Sequence, residues 1–289
     1  IQQSIFGVVL GSYLAVATIG FTLMYGVLDL LNLAYGEYLT FGGLLAWFLI
    51  ATESIPPYVA VPIVIVATAL FALVIGRVFF RSLKNAGPIP LILTSIGVSF
   101  FLRNGFRFGL GSNLRLFEYR EATVFNSSAL GGFFVNTQQL TAIGLALLSF
   151  VLIHLLLTRT KTGIAMRAVS GNESLSQVTG IDTDQIRNYV VLLAGALAGL
   201  SGYLLATQRG VTPNTGFTQL LFVVSAAILG GSGSAYGAIA GSYLIGLTIA
   251  FSVAYLPGGA SLGTVLAFLV LVAVLLVRPG GIANVEVAT

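Results

Sequence analysis

The sequence predicts an all-α integral membrane protein with about eight or nine transmembrane helices, in two inverted-repeat halves joined by a cytoplasmic loop. Two observations carry that reading. Of 289 residues, 57% are apolar and only 8% charged, whereas a soluble domain is about 25% charged; mean hydropathy is +1.00. Apolar runs near the ~20 residues that a bilayer crossing needs recur along the whole chain. Such a chain cannot cover a globular surface with polar side chains, which excludes a single soluble enzyme domain and a disordered chain. There is no Cys, which removes disulfide scaffolds, thiolate nucleophiles and Cys-ligated metals. His154 is the single histidine, which argues against a His metal cage or a His proton relay. The formal charge of +4 reports orientation and headgroup contact in a membrane chain before it suggests nucleic acid.

Helices are expected near 5–28, 34–52, 58–80, 89–104, 138–157, 188–207, 217–230, 235–256 and 262–277. The runs 89–104 and 217–230 are short for a full crossing; either is a candidate tilted, broken or re-entrant piece. The chain begins at Ile1 rather than Met. Sequence ahead of it, up to a whole helix, is expected, and the opening stretch has no leader pattern.

Orientation follows the loop cations. Arg77, Arg81 and Lys84, and then Arg159, Lys161, Arg167 and Arg187, place 77–88 and 158–187 in the cytoplasm. The N-terminus is then outside, and Arg278 puts the C-terminus inside. One loop, 103–121, carries Arg103, Arg107, Arg115 and Arg120 yet falls outside on this count. Either 89–104 does not cross, or these arginines have a task outside; the other loops agree with the alternation, which favours the second. The four helices up to 104 and the four from 188 then start on opposite sides, the topology of inverted repeats. A polar, glycine-flanked break follows the first helix of each half: Gly26 to Gly36 around Asn32, and Gly210 to Gly216 around Asn214.

The first break holds Asn32, Tyr35, Gly36 and Glu37, with Asp29 ahead of it. Charge beside hydrocarbon is costly and usually functional, so this stretch is a candidate broken helix lining a path. The competing reading is a turn at the membrane surface with Asp29 and Asn32 as caps. Gly230, Gly231, Gly233 and Ser234 form a second polar cluster. It lacks the Lys of a phosphate-binding loop, so ATP is not expected on this chain; a tight turn with Gly237 and Gly241 at close helix contacts is the favoured account. The tetrads around Ser201 and Ser232 suggest an intramembrane serine protease, but His154 sits at the cytoplasmic end of its helix and supplies no positioned base. Asp29 and Glu37 are expected near the cytoplasmic boundary, leaving the central spans without charge, which disfavours an ion-coupled carrier.

In the loop 158–187, Asn172 can cap a short helix with Glu173 in its first turn and Gly180 at its end. Leu175 and Val178 share one face, suited either to a partner's groove or to lipid headgroups. Asp182 and Gln185 have capping-box spacing for the next membrane helix.

These motifs together resemble those of branched-chain amino acid ABC importer permeases of the LivH type. Gly20-Phe-Thr-Leu-Met-Tyr-Gly-Val27 with Asn32-Leu-Ala-Tyr-Gly-Glu37 is similar to the family's N-terminal signature, with Leu33 in place of an aromatic residue and Tyr35 in place of His. Gly163-Ile-Ala-Met-Arg167 with Asn172 to Asp182 resembles its ATPase-docking loop. Ala227 to Ser234 with Gly237 and Gly241, and then Arg278-Pro-Gly-Gly281, resemble its C-terminal signatures. The resemblance implies one permease domain over 1–289, with halves 1–104 and 188–289 about the coupling loop 158–187. The docking loop would be Gly163, Arg167, Asn172, Glu173, Leu175, Val178, Gly180 and Asp182. It further implies a second permease, homologous or identical, two cytoplasmic ATPases that hold ATP and Mg, and an external binding protein, for which Arg115 and Arg120 are the candidate contacts. Apolar amino acids are the expected substrates; urea and short amides, carried by related permeases, are the alternative.

Overall fold

The computed structural model describes residues 2–83, 86–117, 125–127, 133–231, 233–256, 259–278 and 280–283. Helix α1 (Gln2–Leu28) is followed by a linker and α2 (Tyr35–Trp47), which runs on through a π-helical turn, Phe48–Thr52. Helix α3 (Pro57–Ile75) likewise continues through π-helical and 3-10 turns to Leu83. After α4 (Pro88–Leu110) come two antiparallel strands, β1 (Phe125–Ser127) and β2 (Phe133–Val135), with Phe125 opposite Val135. The rest is helical: α5 (Thr137–Arg159), α6 (Lys161–Gly171), α7 (Glu173–Val178), α8 (Thr183–Arg209), α9 (Thr215–Gly230), α10 (Ala235–Tyr255) and α11 (Gly259–Val277).

Helix is what a membrane-embedded chain must form, because only helices and closed barrels satisfy every backbone N–H and C=O away from water. Among the described residues, six of the helices are long and apolar enough to cross a bilayer, and α9 and 262–277 are shorter apolar helices. All nine expected helices are present. The fourth runs further than expected, to Leu110, because Arg103 turns inward instead of ending it; the helix stops at Gly111, whose φ of +77° suits glycine. Helix α6 was not anticipated. Its start is set by Thr160, whose hydroxyl accepts the Gly163 N–H at 3.0 Å.

Helices α1 and α8 form the centre and are buried along most of their length, while α5 and α4 keep mostly exposed apolar faces. Helix α10 packs on α1, α3 packs on α8, and α2 lies against α8 and α9. Interhelical hydroxyl bonds pin these contacts: Ser201 Oγ donates to the Tyr13 carbonyl at 2.8 Å, and Ser242 Oγ donates to Thr18 Oγ1 at 3.0 Å.

Candidate functional site

Two helices begin inside the bundle rather than at its ends. Tyr35, the first residue of α2, donates its hydroxyl to the Ala17 carbonyl at 2.8 Å and lies 3.5 Å from that of Ala194. Both acceptors sit near the middle of 27-residue helices, so α2 starts about half-way along α1 and α8. Helix α9 starts against it. The Gly216 N–H donates to Thr40 Oγ1 at 2.9 Å, and a Cβ on Gly216 would overlap the Gly36 carbonyl oxygen. Only glycine lets two helix starts meet this closely.

Asn32 closes the turn ahead of α2. Its Oδ1 accepts the Ala34 N–H at 3.0 Å and its Nδ2 donates to the Tyr38 hydroxyl at 3.4 Å. Asp29 is exposed with φ +49° and caps nothing. Of the two expected caps only Asn32 makes a bond, and the break is buried at Asn32, Ala34 and Tyr35. Tyr35 is fully buried, edge-on to Phe21 and Tyr38, and ties α1, α2 and α8 together.

Glu37 corrects a second expectation, for it lies in the interior and not at the cytoplasmic boundary. It is fully buried. Its Oε1 accepts from Arg103 Nε at 3.1 Å, Arg103 Nη2 at 2.9 Å and Ser99 Oγ at 2.9 Å. Oε2 is buried and accepts no hydrogen bond of good geometry. Ser99 and Arg103 are one turn apart on α4, so both reach the same carboxylate. The Arg103 guanidinium also lies 4.0 Å from the centre of the Phe217 ring, in the first turn of α9. This cluster joins α2, α4 and α9 and flanks a chamber of about 280 Å³ walled by Phe100, Arg103, Phe217, Leu221 and Phe268. Sequence reasoning missed the pair by assigning Arg103 to an outer loop. The available signal was Ser99 and Arg103 at i,i+4, on one face of the helix.

A second cavity, of about 360 Å³, has Met24, Asn32 and Tyr38 on its wall with Arg77, Arg81, Asp184 and Arg187. The two halves of the expected path are not brought together. Gly230, Gly231, Gly233 and Ser234 make the turn from α9 to α10, with φ of +99° at Gly231 and +92° at Gly233. Ser234 caps α10 by accepting the Gly237 N–H at 3.1 Å. The Gly230 and Gly237 backbones touch, as small residues at a helix crossing allow. Gly233 and Asp29 share a separate cavity of about 360 Å³. Ser232 lies outside the described residues. Ser201 has spent its proton on Tyr13, while His154 Nδ1 lies 2.6 Å from the Tyr236 hydroxyl; among the described residues no base serves Ser201.

In the segment 158–187, Asn172 Oδ1 accepts the Leu175 N–H at 2.9 Å, and Gly180 follows the helix at φ +88°. Leu175 and Val178 are 60% and 84% exposed. Glu173 pairs with Arg187 of α8 at 2.6 Å, and Asp182 caps α8 by accepting the Gln185 N–H at 3.0 Å. Gly163 seats the first turn of α6 on the Leu156 carbonyl, where a Cβ would not fit. Arg167 is exposed. At the opposite end, Arg115 and Val211 exchange backbone hydrogen bonds of 3.0 and 2.9 Å. The Arg115 guanidinium lies 4.2 Å from the Trp47 ring centre, and Nη2 donates to the Leu110 carbonyl. Arg120 lies outside the described residues.

The family described as "Branched-chain amino acid transport system / permease component" matches residues 4–275. The chain is 30% identical to the high-affinity branched-chain amino acid transport system permease protein BraD of Pseudomonas aeruginosa, over 98% of this chain and 95% of that protein. It is 29% identical to the LivH permease of the same description from Escherichia coli, over 98% and 94%. It is also 29% identical to a probable branched-chain amino acid transport permease LivH of Methanocaldococcus jannaschii, over 96% and 91%. With a buried helix break at its centre and a family match over nearly its whole length, the chain belongs to the permease components of branched-chain amino acid transport systems, multi-pass membrane subunits that move a solute rather than transform it.

Proposed function

We propose that this chain is the transmembrane subunit of an ATP-binding-cassette importer for branched-chain and other apolar amino acids. The observation that carries the proposal is the near full-length similarity to permeases named for that transport. Apolar chamber walls with few charge partners support the substrate class. Two ATPases on separate chains would hold ATP and Mg, a second permease, homologous or identical, would complete the membrane part, and an external binding protein would deliver substrate.

The orientation is N-terminus outside, C-terminus and coupling loop inside. The halves 1–104 and 188–289 form inverted repeats, pairing α1 with α8, α2 with α9 and α3 with α10. The repeat pairing is supported by the meeting of Gly36 with Gly216, the matched breaks 29–34 and 210–214, and the packing of α10 on α1 as α3 packs on α8. Leu175 and Val178 dock into an ATPase groove, while Asn172, Gly180, Asp182, Gly163 and Arg167 shape and border that surface. Glu173 transmits its motion through Arg187 to α8. Arg115 and Arg120 meet the binding protein outside, and the Trp47 stack fixes Arg115 for it. Binding protein and ATP together favour the outward-open state, and hydrolysis returns the inward-open one through their differential affinity for the two.

Energy coupling tests this reading. In proteoliposomes holding the complex and supplied with binding protein, uptake stops when enclosed ATP is removed and persists when ion gradients are collapsed with ATP held constant. Uptake that fails with the gradient alone would contradict it.

A further inference from the structure

The Glu37–Arg103 pair is incomplete as it stands. Arg103 spends Nε and Nη2 on Glu37 and Ser99, and among the described residues Nη1 has no hydrogen-bond partner. Arg103 is only 7% exposed, and the space it borders is the chamber between α4, α9 and α11. Nη1 carries two of the five guanidinium N–H groups, so two donors are left over at this wall.

Around Nη1 the walls are apolar: Phe100, Phe217, Leu221 and Phe268. The remaining polar side chains on the wall are Ser99 and Ser225. Ser225 Oγ donates to the Leu221 carbonyl at 2.7 Å, which leaves its lone pairs free to accept. About 280 Å³ lies just under the ~300–1,000 Å³ of drug-sized sites, so the occupant is small. Charge narrows it further. Glu37 and Arg103 cancel, so an anion or a cation placed there would leave a net charge against largely apolar walls, which is costly. A zwitterion would not.

We infer that this chamber is a substrate station in the membrane, in which Arg103 Nη1 binds the carboxylate of a small apolar amino acid. The side chain lies among Phe100, Phe217, Leu221 and Phe268, and the ammonium is held by Ser225. Glu37 acts as a positioning residue: it fixes the guanidinium and keeps the station neutral without itself lining the chamber. The station rests on the importer reading above and adds to it a site within the permease, separate from any specificity in the binding protein.

The test uses the absence of cysteine from this chain. Leu221→Cys in the assembled complex gives this subunit a single thiol, whose maleimide labelling is read by the mass of the chain. Leucine at about twice its Kd slows labelling about threefold, following 1 + [L]/Kd; leucinamide, which lacks the carboxylate, does not. Adding Arg103→Gln removes the protection. If that variant fails to assemble, the comparison of leucine with leucinamide in the Leu221→Cys complex decides alone. Labelling unchanged by leucine, or slowed equally by both ligands, would overturn the inference. ATP-driven amino acid uptake by the wild-type complex is measured alongside. A complex that takes up leucine but shows no protection defeats the station alone, whereas one that takes up no amino acid defeats the importer reading.

Discussion

Replacing Leu175 and Val178 together with Asp abolishes amino acid uptake while leaving the permease folded. Both side chains stand in solvent, 60% and 84% exposed, so the fold loses little; exposed substitutions usually fall within about ±0.5 kcal/mol. The docked complex loses far more. Each apolar anchor is worth roughly 1.5–3 kcal/mol on full burial, and every ~1.4 kcal/mol is tenfold in affinity. Two such losses, with two carboxylates introduced into an apolar groove, exceed a hundredfold weakening by roughly that arithmetic. The pairing of Glu173 with Arg187 and the Asn172 cap remain, so α7 still forms and only its docking surface changes. The measurement is uptake and ATPase retention on the same purified preparation. Normal uptake by the variant would refute the assignment of α7 as the docking helix and leave it as a helix resting on the membrane surface.

Glu37→Ala strongly destabilises the bundle. It leaves Arg103 buried with no counter-charge, and breaking a buried pair in this way costs about 3–5 kcal/mol. It also removes the acceptor that holds Ser99 and Arg103 in one geometry, so α4 loses its tie to α2. Replacing both members, Glu37→Met with Arg103→Met, is far milder, because apolar substitutes for a buried ion pair are often neutral or better. Thermal unfolding of the purified complex, with the double variant as the second arm, gives the comparison. Wild-type stability in Glu37→Ala would mean that Arg103 reaches water or another anion, against its burial here. The double variant is expected to fold yet to lose the protection by leucine described above, which separates the pair's part in folding from its part at the station.

Much of the fold was legible because its signals are local. Runs of Leu, Val and Ala gave all nine apolar helices to within a few residues, apart from the far end of α4 and the start of α8. Asn172, Gly180 and Asp182 gave the caps of α7 and α8, because capping is settled by neighbours two to four residues away. What was not legible depends on partners far along the chain. Glu37 and Arg103 are 66 residues apart, and the Ser99–Arg103 spacing marks a shared face without naming the carboxylate it meets. The charge-poor interior that had argued against an ion-coupled carrier was therefore a misreading; the family match now carries that exclusion. The depth of the break at Asn32 was hidden in the same way. Its meaning rests on Tyr35 reaching Ala17 and Ala194, and on Gly36 meeting Gly216 across the bundle. The glycine pairs were visible as glycines, but which glycine meets which is fixed only by the packing of α2 on α8 and α9. Helix α6 was missed because Thr162, Gly163 and Ser170 dilute its pattern, and its start depends on a side-chain cap from Thr160.

The central claim, that this permease works as one subunit of an ATP-driven importer, is tested most directly by recovering the chain from its native membranes in mild detergent. Co-purifying proteins are identified by mass spectrometry. The account predicts stoichiometric recovery of a nucleotide-binding ATPase, with a second copy of this chain or a second, similar permease. Recovery of the chain alone, stable and still transporting in liposomes without ATP, would contradict it.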